Sequence, residues 1–192
     1  MAPTFRMRRI SAIIAGVTAV SLFAGLSTAN AQTNPSSEQL ASGSTYAQTS
    51  ESAQSGVEAV IARAESQIGT PYAWGGGNDF GPTQGVRDGG IADAHGDYSL
   101  AGFDCSGLVK FAFAGAGVEL PHFTGYQYLR GTPVPVSDIK RGDLLFYGPD
   151  GNSHVAIYLG DGTMIEAPGS GDVVKTSPIR WSGLSTNAVR LI

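Results

Sequence analysis

The chain contains a single cysteine, Cys105, within the stretch FDCSGLVKFAF. One cysteine cannot form a disulfide inside its own chain, which excludes the usual structural use of cysteine in a small exported domain. We expect Cys105 to begin a helix, where free backbone N–H groups and the helix dipole lower the pKa of a thiol. This environment indicates nucleophilic catalysis, with a small buried hydrophobic residue as the alternative.

A cysteine nucleophile needs a base, and the chain has three histidines. His95 and His122 fall in segments without a regular element, and a solvated loop residue is the alternative interpretation for both. His154 begins the strand-like run HVAIYLG, which gives a rigid support to a side chain at the edge of a sheet. We therefore predict that His154 is the base.

Glu166, twelve residues after His154, is the candidate that orients the imidazole. A two-residue turn between their strands would place the glutamate on the face opposite the histidine. A three-residue loop over 160–162, closed by Gly162 in the left-handed conformation, would instead pair Ala156 with Glu166. The two side chains would then be diagonal neighbours roughly 7 to 8 Å apart. The triad thus predicts the three-residue loop, and a solvent-facing carboxylate is the alternative.

The hydrophobic pattern indicates which elements hold these groups. Apolar residues at helical spacing predict a helix over 57–68 and a second, buried helix over 105–116. The segment 121–135 is predicted to be a loop, and five short β-branched runs follow it between Gly, Pro and Asp turns. These runs are DLLFYG, HVAIYLG, TMIEAP, DVVKTS and AVRLI. Helices followed by strands predict an α+β domain with helices on one side of an antiparallel sheet.

Three segments divide the chain. Residues 1–31 combine three arginines, an apolar run and a small-x-small site, which predicts a cleaved signal peptide; an uncleaved membrane anchor is the alternative. Residues 32–56, rich in Ser, Thr, Gln, Ala and Gly, predict a flexible arm, and one hypothesis places this arm across the active-site groove. Residues 57–192 have the length of one domain with its own core.

Charge and histidine spacing exclude several classes of function. Loss of the leader changes the formal net charge from −4 to −7, because its three arginines are accompanied by no acidic residue. A negative domain without a Lys/Arg cluster disfavours nucleic acid and anionic lipid as ligands. Scattered histidines without an HExxH or short HxH spacing supply no zinc ligand set. We expect no metal, no cofactor, no nucleic-acid partner and no membrane association after cleavage.

Four blocks, PYAWGG, FDCSGLV, RGDLLFYG and HVAIYLGDGTMIEAP, resemble those of NlpC-type (NlpC/p60-like) cysteine peptidases, bacterial enzymes that cut the peptide part of peptidoglycan. They occur in the family's order within 57–192. The glycine-rich segment over 75–98 is similar to an insertion of the actinobacterial branch, the Rip-type endopeptidases. The resemblance implies a papain-like core in which N-terminal helices, one beginning at the catalytic cysteine, pack on a mainly antiparallel sheet of five or six strands.

The resemblance also implies roles for individual residues. By position, Cys105 matches the nucleophile, His154 the base and Glu166 the orienting residue, where many members of the family have a second histidine. The resemblance implies an exported, wall-located enzyme that hydrolyses the D-γ-glutamyl–meso-diaminopimelate bond of stem peptides, in wall remodelling and daughter-cell separation. Stem peptides would be its ligands, and other cell-wall hydrolases are candidate partners. A catalytically silent wall-binding module of the same fold is the alternative.

Three further positions match the family's substrate groove. Tyr72 matches a tyrosine whose hydroxyl lies beside the nucleophile and helps with the oxyanion, and an aromatic core residue is the alternative reading. Asp104 and Ser106 match positions that line the groove. Since the negative domain offers no long-range attraction to carboxylate-rich peptides, recognition must depend on local donors, and Arg87 in the polar loop is one candidate.

Overall fold

The computed structural model describes residues 36–192. The predicted signal peptide over 1–31 and the first residues of the predicted arm lie outside the described residues. Between residues 36 and 192, no helix combines the length and the apolar character needed to cross a membrane.

The first helix, α1, spans Ser36–Glu65 and begins earlier than predicted. The predicted flexible arm over 32–56 overlaps α1 from Ser36 onward, because the helix that buries Val60 and Ile61 extends through this segment. Residues 48–55 of the extension are exposed. A hydrophobic pattern detects helices through their buried face, so it misses a helical segment that buries none. Once nucleated by the buried part, a helix propagates readily through Ala, Gln and Glu.

The polar segment between α1 and the cysteine was predicted to be a long loop, and it contains short elements. Strand β1 (Thr83–Gln84) pairs antiparallel with β2 (Ala101–Gly102), and the short helix α2 (Ile91–His95) lies between them. The carboxylate of Asp88 accepts three backbone N–H groups at the start of α2. These elements are held by local hydrogen bonds, which leave no hydrophobic period in the sequence.

Helix α3 (Cys105–Ala114) begins at the cysteine, as predicted. Asp104 is its N-cap, and the Asp104 carboxylate accepts the backbone N–H of Gly107 at 2.7 Å. Most side chains of α3 are buried. A five-residue helix, α4 (Thr124–Tyr128), follows within the segment that was predicted to be a loop.

Six antiparallel strands form one sheet in the spatial order β3-β8-β4-β5-β6-β7. They are β3 Thr132–Pro135, β4 Leu144–Tyr147, β5 His154–Gly160, β6 Thr163–Glu166, β7 Lys175–Pro178 and β8 Asn187–Arg190. Five of the strands were predicted, and β3 lies in a predicted loop. Its two prolines fit an edge strand, where a missing N–H costs no inner hydrogen bond. The α+β class and the strand number are confirmed.

Helices α1 and α3 pack on one face of this sheet. The largest fully buried side chains of that layer are Ile61, Phe103, Leu108, Phe113, Leu144, Phe146, Ile157 and Ile165. The opposite face is covered by the chain that follows β7, and its buried cluster contains Leu145, Tyr147, Ala156, Met164, Ile179 and Ala188. Since side chains alternate along a strand, His154 and Ala156 of β5 lie on the second face, and Val155 lies against the helices.

The turn between β5 and β6 differs from the predicted three-residue loop. Gly160 pairs with Thr163, so that Asp161 and Gly162 alone form the turn, with φ angles of 50° and 74°. Gly162 is left-handed as predicted, but so is Asp161, and positive φ at both positions belongs to a two-residue hairpin turn. With regular pairing, this tight turn would direct the glutamate of β6 away from the histidine of β5.

A bulge in β5 produces the predicted register all the same. The pairing shifts between Tyr158 and Gly160, and Leu159 is the extra residue. Tyr158 then pairs with Met164, and the same register sets Ala156 opposite Glu166. The residue that the prediction added to the loop is therefore found inside the strand, with the same effect on which face each side chain occupies.

Candidate active site

A groove of about 290 Å³ opens at the amino-terminal end of α3. Four of the predicted site residues line it: Tyr72, Asp104, Cys105 and Ser106. The groove also contains His122 and the half-exposed Trp74. The predicted residues of the helix end and of the PYAWGG block are thus brought together in one cavity.

The Cys105 side chain is partly buried, and its sulfur accepts the backbone N–H of Val155, the residue that follows His154 in β5. Burial, reinforced by the Asp104 carboxylate, raises the pKa of the Cys105 thiol to about 12. This is opposite to the lowered pKa that the helix end predicted. Loss of solvation for the thiolate outweighs the backbone N–H groups, so the isolated thiol keeps its proton at neutral pH.

His154 stands at the start of β5, directly across from Tyr147 of β4. The two rings lie 5.6 Å apart, and Nε2 of His154 lies 2.6 Å from Oε2 of Glu166. The structure therefore brings the predicted base and the predicted orienting residue into contact. Because Glu166 occupies Nε2, Nδ1 is the ring nitrogen of His154 that this bond leaves open.

The Glu166 carboxylate is buried and makes two further bonds, to Arg180. Nη1 and Nη2 of Arg180 donate to Oε1 and Oε2 at 2.6 and 2.7 Å. Burial opposes ionisation of Glu166, but hydrogen bonds from Arg180, His154 and Ser177 hold the pKa of this carboxyl well below its usual range. Glu166 is thus an anion that binds His154 and Arg180 at once.

Sequence reasoning missed Arg180. Its guanidinium lies 5.1 Å from the centre of the Tyr147 ring, and the Tyr147 hydroxyl is 3.3 Å from the Met164 sulfur. Arg180 therefore contacts Tyr147 and Glu166, the two residues that contact the His154 ring. A single arginine in a loop after β7 carries no periodic signal, and only the unpaired charge of a buried glutamate could have indicated that a cation was needed.

Asp104 and Ser106 lie in the groove, but they are bonded mainly to their own chain. Oδ1 of Asp104 accepts the Ser106 hydroxyl at 2.9 Å and the Gly107 N–H at 2.7 Å, and lies 3.0 Å from Nε2 of His122. Oδ2 accepts the Gly75 N–H at 3.0 Å. Asp104 thus caps α3, fixes the glycine-rich loop and holds a histidine that had been expected in solvent.

The glycine run after Trp74 packs against the first turn of α3. The carbonyl of Gly76 accepts the Asp104 N–H at 3.0 Å, and a Cβ atom at Gly107 would collide with that carbonyl. Gly75 and Gly77 have φ angles of 68° and 97°, which side chains rarely adopt. Glycine is needed here so that the loop can approach the helix and form one wall of the groove.

Tyr72 forms part of the buried core and also lines the groove. Burial, with smaller contributions from Cys105 and Asp104, raises the pKa of the Tyr72 hydroxyl well above its usual range. The hydroxyl therefore remains a hydrogen-bond donor, as stabilisation of an oxyanion requires.

Two other candidates lie elsewhere. The Arg87 guanidinium stacks 3.6 Å from the centre of the Tyr98 ring and lies 3.3 Å from Asp93, outside the groove lining. His95 is exposed in α2 and is also absent from that lining. Across the described part of the chain, no group of three His, Cys, Asp or Glu side chains is arranged to hold a metal ion.

Known proteins resemble this chain over most of its length. The sequence profile of the NlpC/P60 family matches residues 69–191. The chain is 51% identical over 140 residues to the peptidoglycan endopeptidase RipB of Mycobacterium tuberculosis, and this alignment covers 73% of this chain and 55% of RipB. It is 50% identical over 136 residues to the peptidoglycan endopeptidase RipA of Mycolicibacterium smegmatis, and this alignment covers 71% of this chain and 26% of RipA. The chain thus spans about half of RipB and a quarter of RipA.

Solved structures agree with the sequence matches. The peptidoglycan hydrolase RipB of M. tuberculosis superposes with a TM-score of 0.67 at 50% identity, covering 73% of this chain and 66% of that chain. RipD of the same organism superposes with a TM-score of 0.64 at 42% identity, covering 71% of this chain and 98% of that chain. RipD is described as a non-catalytic NlpC/p60 domain protein adapted to peptidoglycan binding.

Replacement of Arg180 by glutamine leaves the buried Glu166 carboxylate bonded to His154 and Ser177, without the guanidinium that offsets its charge. We expect the free energy of unfolding at pH 7 to fall by about 1–3 kcal/mol, measured by urea denaturation with tryptophan fluorescence. Arg180→Lys keeps the charge without the two parallel bonds and should lose less. Adding Glu166→Gln to Arg180→Gln should recover part of the loss. Unchanged stability of Arg180→Gln would show that Arg180 does not hold Glu166.

Alkylation of the single cysteine reports directly on its ionisation. In His154→Ala, we expect the rate with iodoacetamide to rise about tenfold per pH unit from pH 7 to 10 without levelling, because the thiol pKa is about 12. Wild-type protein should react faster at pH 7, since His154 accepts the proton. His95→Ala, altered at an exposed histidine, should match wild type. A plateau below pH 9 in His154→Ala would contradict the raised pKa.

Proposed function

Because the chain belongs to the NlpC/P60 family, we propose that it is a peptidoglycan endopeptidase with Cys105 as its nucleophile. One observation carries the proposal. The sulfur at the start of α3 accepts the N–H of Val155, and the preceding residue, His154, is bonded to the buried, ionised Glu166. A thiol that lines an open groove, a histidine on the strand beside it and a buried carboxylate bonded to that histidine are the parts that a cysteine peptidase requires.

The proposed substrate is the peptide stem of peptidoglycan, and the proposed bond joins D-γ-glutamate to meso-diaminopimelate. RipB and RipA support this substrate class. Both are peptidoglycan endopeptidases, and each is about 50% identical to this chain over the aligned residues. The choice of bond follows from the resemblance of the glycine-rich insertion over 75–98 to that of the Rip-type branch.

In the proposed first step, the Cys105 sulfur attacks the carbonyl carbon of the amide while its proton passes to Nδ1 of His154. Transfer during attack suits a thiol whose pKa is raised, because free thiolate is scarce beforehand. The Glu166 anion stabilises the imidazolium through Nε2. The backbone N–H of Cys105 and the Tyr72 hydroxyl donate to the oxyanion.

Collapse of the tetrahedral intermediate breaks the C–N bond and leaves a thioester on Cys105. His154 returns its proton to the departing amine of diaminopimelate. Water then attacks the thioester carbonyl as His154 accepts a proton from it, the C–S bond breaks, and the thiol is reformed. The products are a glutamate γ-carboxylate and a free amine.

We further propose that the protein is exported and acts in the cell wall, in remodelling and daughter-cell separation. The leader-like composition of residues 1–31 supports export. Stem peptides are its proposed ligand, and other cell-wall hydrolases are the proposed class of protein partner.

A catalytically silent wall-binding domain is the second candidate, and RipD favours it as a relative that is described as non-catalytic. The raised pKa of Cys105 is also what an unused buried thiol would show. Against this reading, Glu166 is buried as an anion beside His154 and needs Arg180 to be accommodated there. An arrangement so costly in desolvation has no evident use in a passive binding surface.

The deciding experiment digests purified muropeptides with the full chain and identifies the products by mass spectrometry. We expect wild type to release fragments that begin with a free diaminopimelate amine, and Cys105→Ala to be slower by at least about 1,000-fold. His95→Ala serves as a control outside the groove and should match wild type. Equal turnover by wild type and Cys105→Ala would reject the cysteine mechanism. Binding without turnover by wild type would favour the silent domain.

A further inference from the structure

His122 is a titratable side chain in the groove that the proposed reaction does not use. It lines the cavity beside Cys105, and 27% of its side-chain surface is exposed. Its Nε2 lies 3.0 Å from Oδ1 of Asp104. Within residues 36–192, Nδ1 of His122 has no side-chain hydrogen-bond partner, so Asp104 holds one ring nitrogen and the other is open to a ligand.

The charge inside the groove depends on this histidine. Among the described residues that line the cavity, none is a lysine or an arginine, and Asp104 is the carboxylate. With His122 neutral, an entering carboxylate meets a negative wall. With His122 protonated, the wall is neutral overall and presents one new donor. Arg87, the donor suggested by the sequence, is held by Asp93 and Tyr98 outside the groove.

The surroundings of His122 favour its protonated form. The hydrogen bond to Asp104 raises the pKa of His122 above its usual value, against opposing effects of burial and of Lys110 on α3. The carbonyl of Gly76, in the glycine-rich loop, also favours the cation. The remaining titratable groups of the groove are Cys105 and Tyr72, and both of them have raised pKa values and are uncharged at neutral pH.

The proposed substrate carries a carboxylate close to its scissile bond. A glutamate joined through its γ-carboxyl group keeps a free α-carboxylate, whose carbon is four bonds from the scissile carbonyl carbon. When that carbonyl carbon is at the Cys105 sulfur, this link is long enough for the α-carboxylate to enter the cavity that Cys105 and His122 both line. A charge-assisted bond to an imidazolium is among the stronger polar contacts a protein can make.

We propose that His122 is the carboxylate-binding residue of the groove. Asp104 keeps the proton of Nε2 in place, and the protonated ring donates from Nδ1 to the α-carboxylate of the γ-linked glutamate. This inference rests on the proposed function for its substrate, and it assigns Asp104 the task of positioning His122. Binding of the carboxylate is present below the pKa of His122 and is lost as the pH rises through it.

Binding can be measured apart from turnover with the full chain carrying Cys105→Ala. The probes are the tripeptide L-alanyl-γ-D-glutamyl-diaminopimelate and an analogue with the α-carboxylate of glutamate converted to a carboxamide. By calorimetry, we expect the carboxylate to bind about tenfold or more tightly than the carboxamide at pH 5.5. The preference should disappear by pH 8.5. Adding His122→Gln should abolish it at every pH, and adding His95→Gln should leave it unchanged.

Each outcome decides the proposal. A carboxylate preference that persists in His122→Gln, or that does not change with pH, overturns it, as does failure of both probes to bind at any pH. Equal affinity of His122→Gln and its parent for the carboxamide shows that the groove is intact. If His122→Gln also binds the carboxamide more weakly than its parent, the proposal is decided by the parent protein, which keeps His122. Its preference for the carboxylate must then disappear between pH 5.5 and pH 8.5. Binding by the Cys105→Ala protein without muropeptide cleavage by wild type would reject only the proposed catalysis.

Discussion

The hydrogen bond from the backbone of β5 to the sulfur of Cys105 joins two parts of the fold that have separate origins. The cysteine belongs to a helix and the histidine to a strand, so their approach depends on how α3 sits on the sheet. Two contacts of Val155 hold α3 against β5: its backbone N–H donates to the Cys105 sulfur, and its side chain packs in the core that faces the helices. The alternation of β5 then sends His154 to the other face, where Glu166 and Arg180 receive it.

Features that depend on local pattern could be predicted from the sequence. The apolar character of α3 and the five β-branched runs identified the helix of the nucleophile and most of the sheet. The requirement that Glu166 share a face with His154 correctly predicted one extra residue between the paired positions of β5 and β6. The position of this extra residue could not be predicted. A residue added to the turn and a residue added to the strand change in the same way which sheet face the following side chains occupy. The sequence pattern therefore cannot distinguish a three-residue turn from the bulge at Leu159.

Other features depend on contacts between distant segments, and the sequence carried little sign of them. Arg180 and His122 belong to irregular segments, and only the folded chain shows that each meets a carboxylate. The direction of the Cys105 pKa shift was predicted wrongly for a related reason. A helix end can be recognised from a capping residue such as Asp104, whereas the depth at which the sulfur lies is set by the loops around it.

The protonated resting state of Cys105 also bears on its chemical lifetime. The thiolate is the form that attacks peroxides and disulfides, so a thiol whose pKa is about 12 reacts little with these oxidants at neutral pH. The chain has no second cysteine through which an oxidised Cys105 could be reduced by exchange. In oxidising surroundings, the thiol must therefore be preserved by a low rate of oxidation, because the chain cannot reduce it again. A buried thiol that ionises only when a histidine takes its proton has such a low rate.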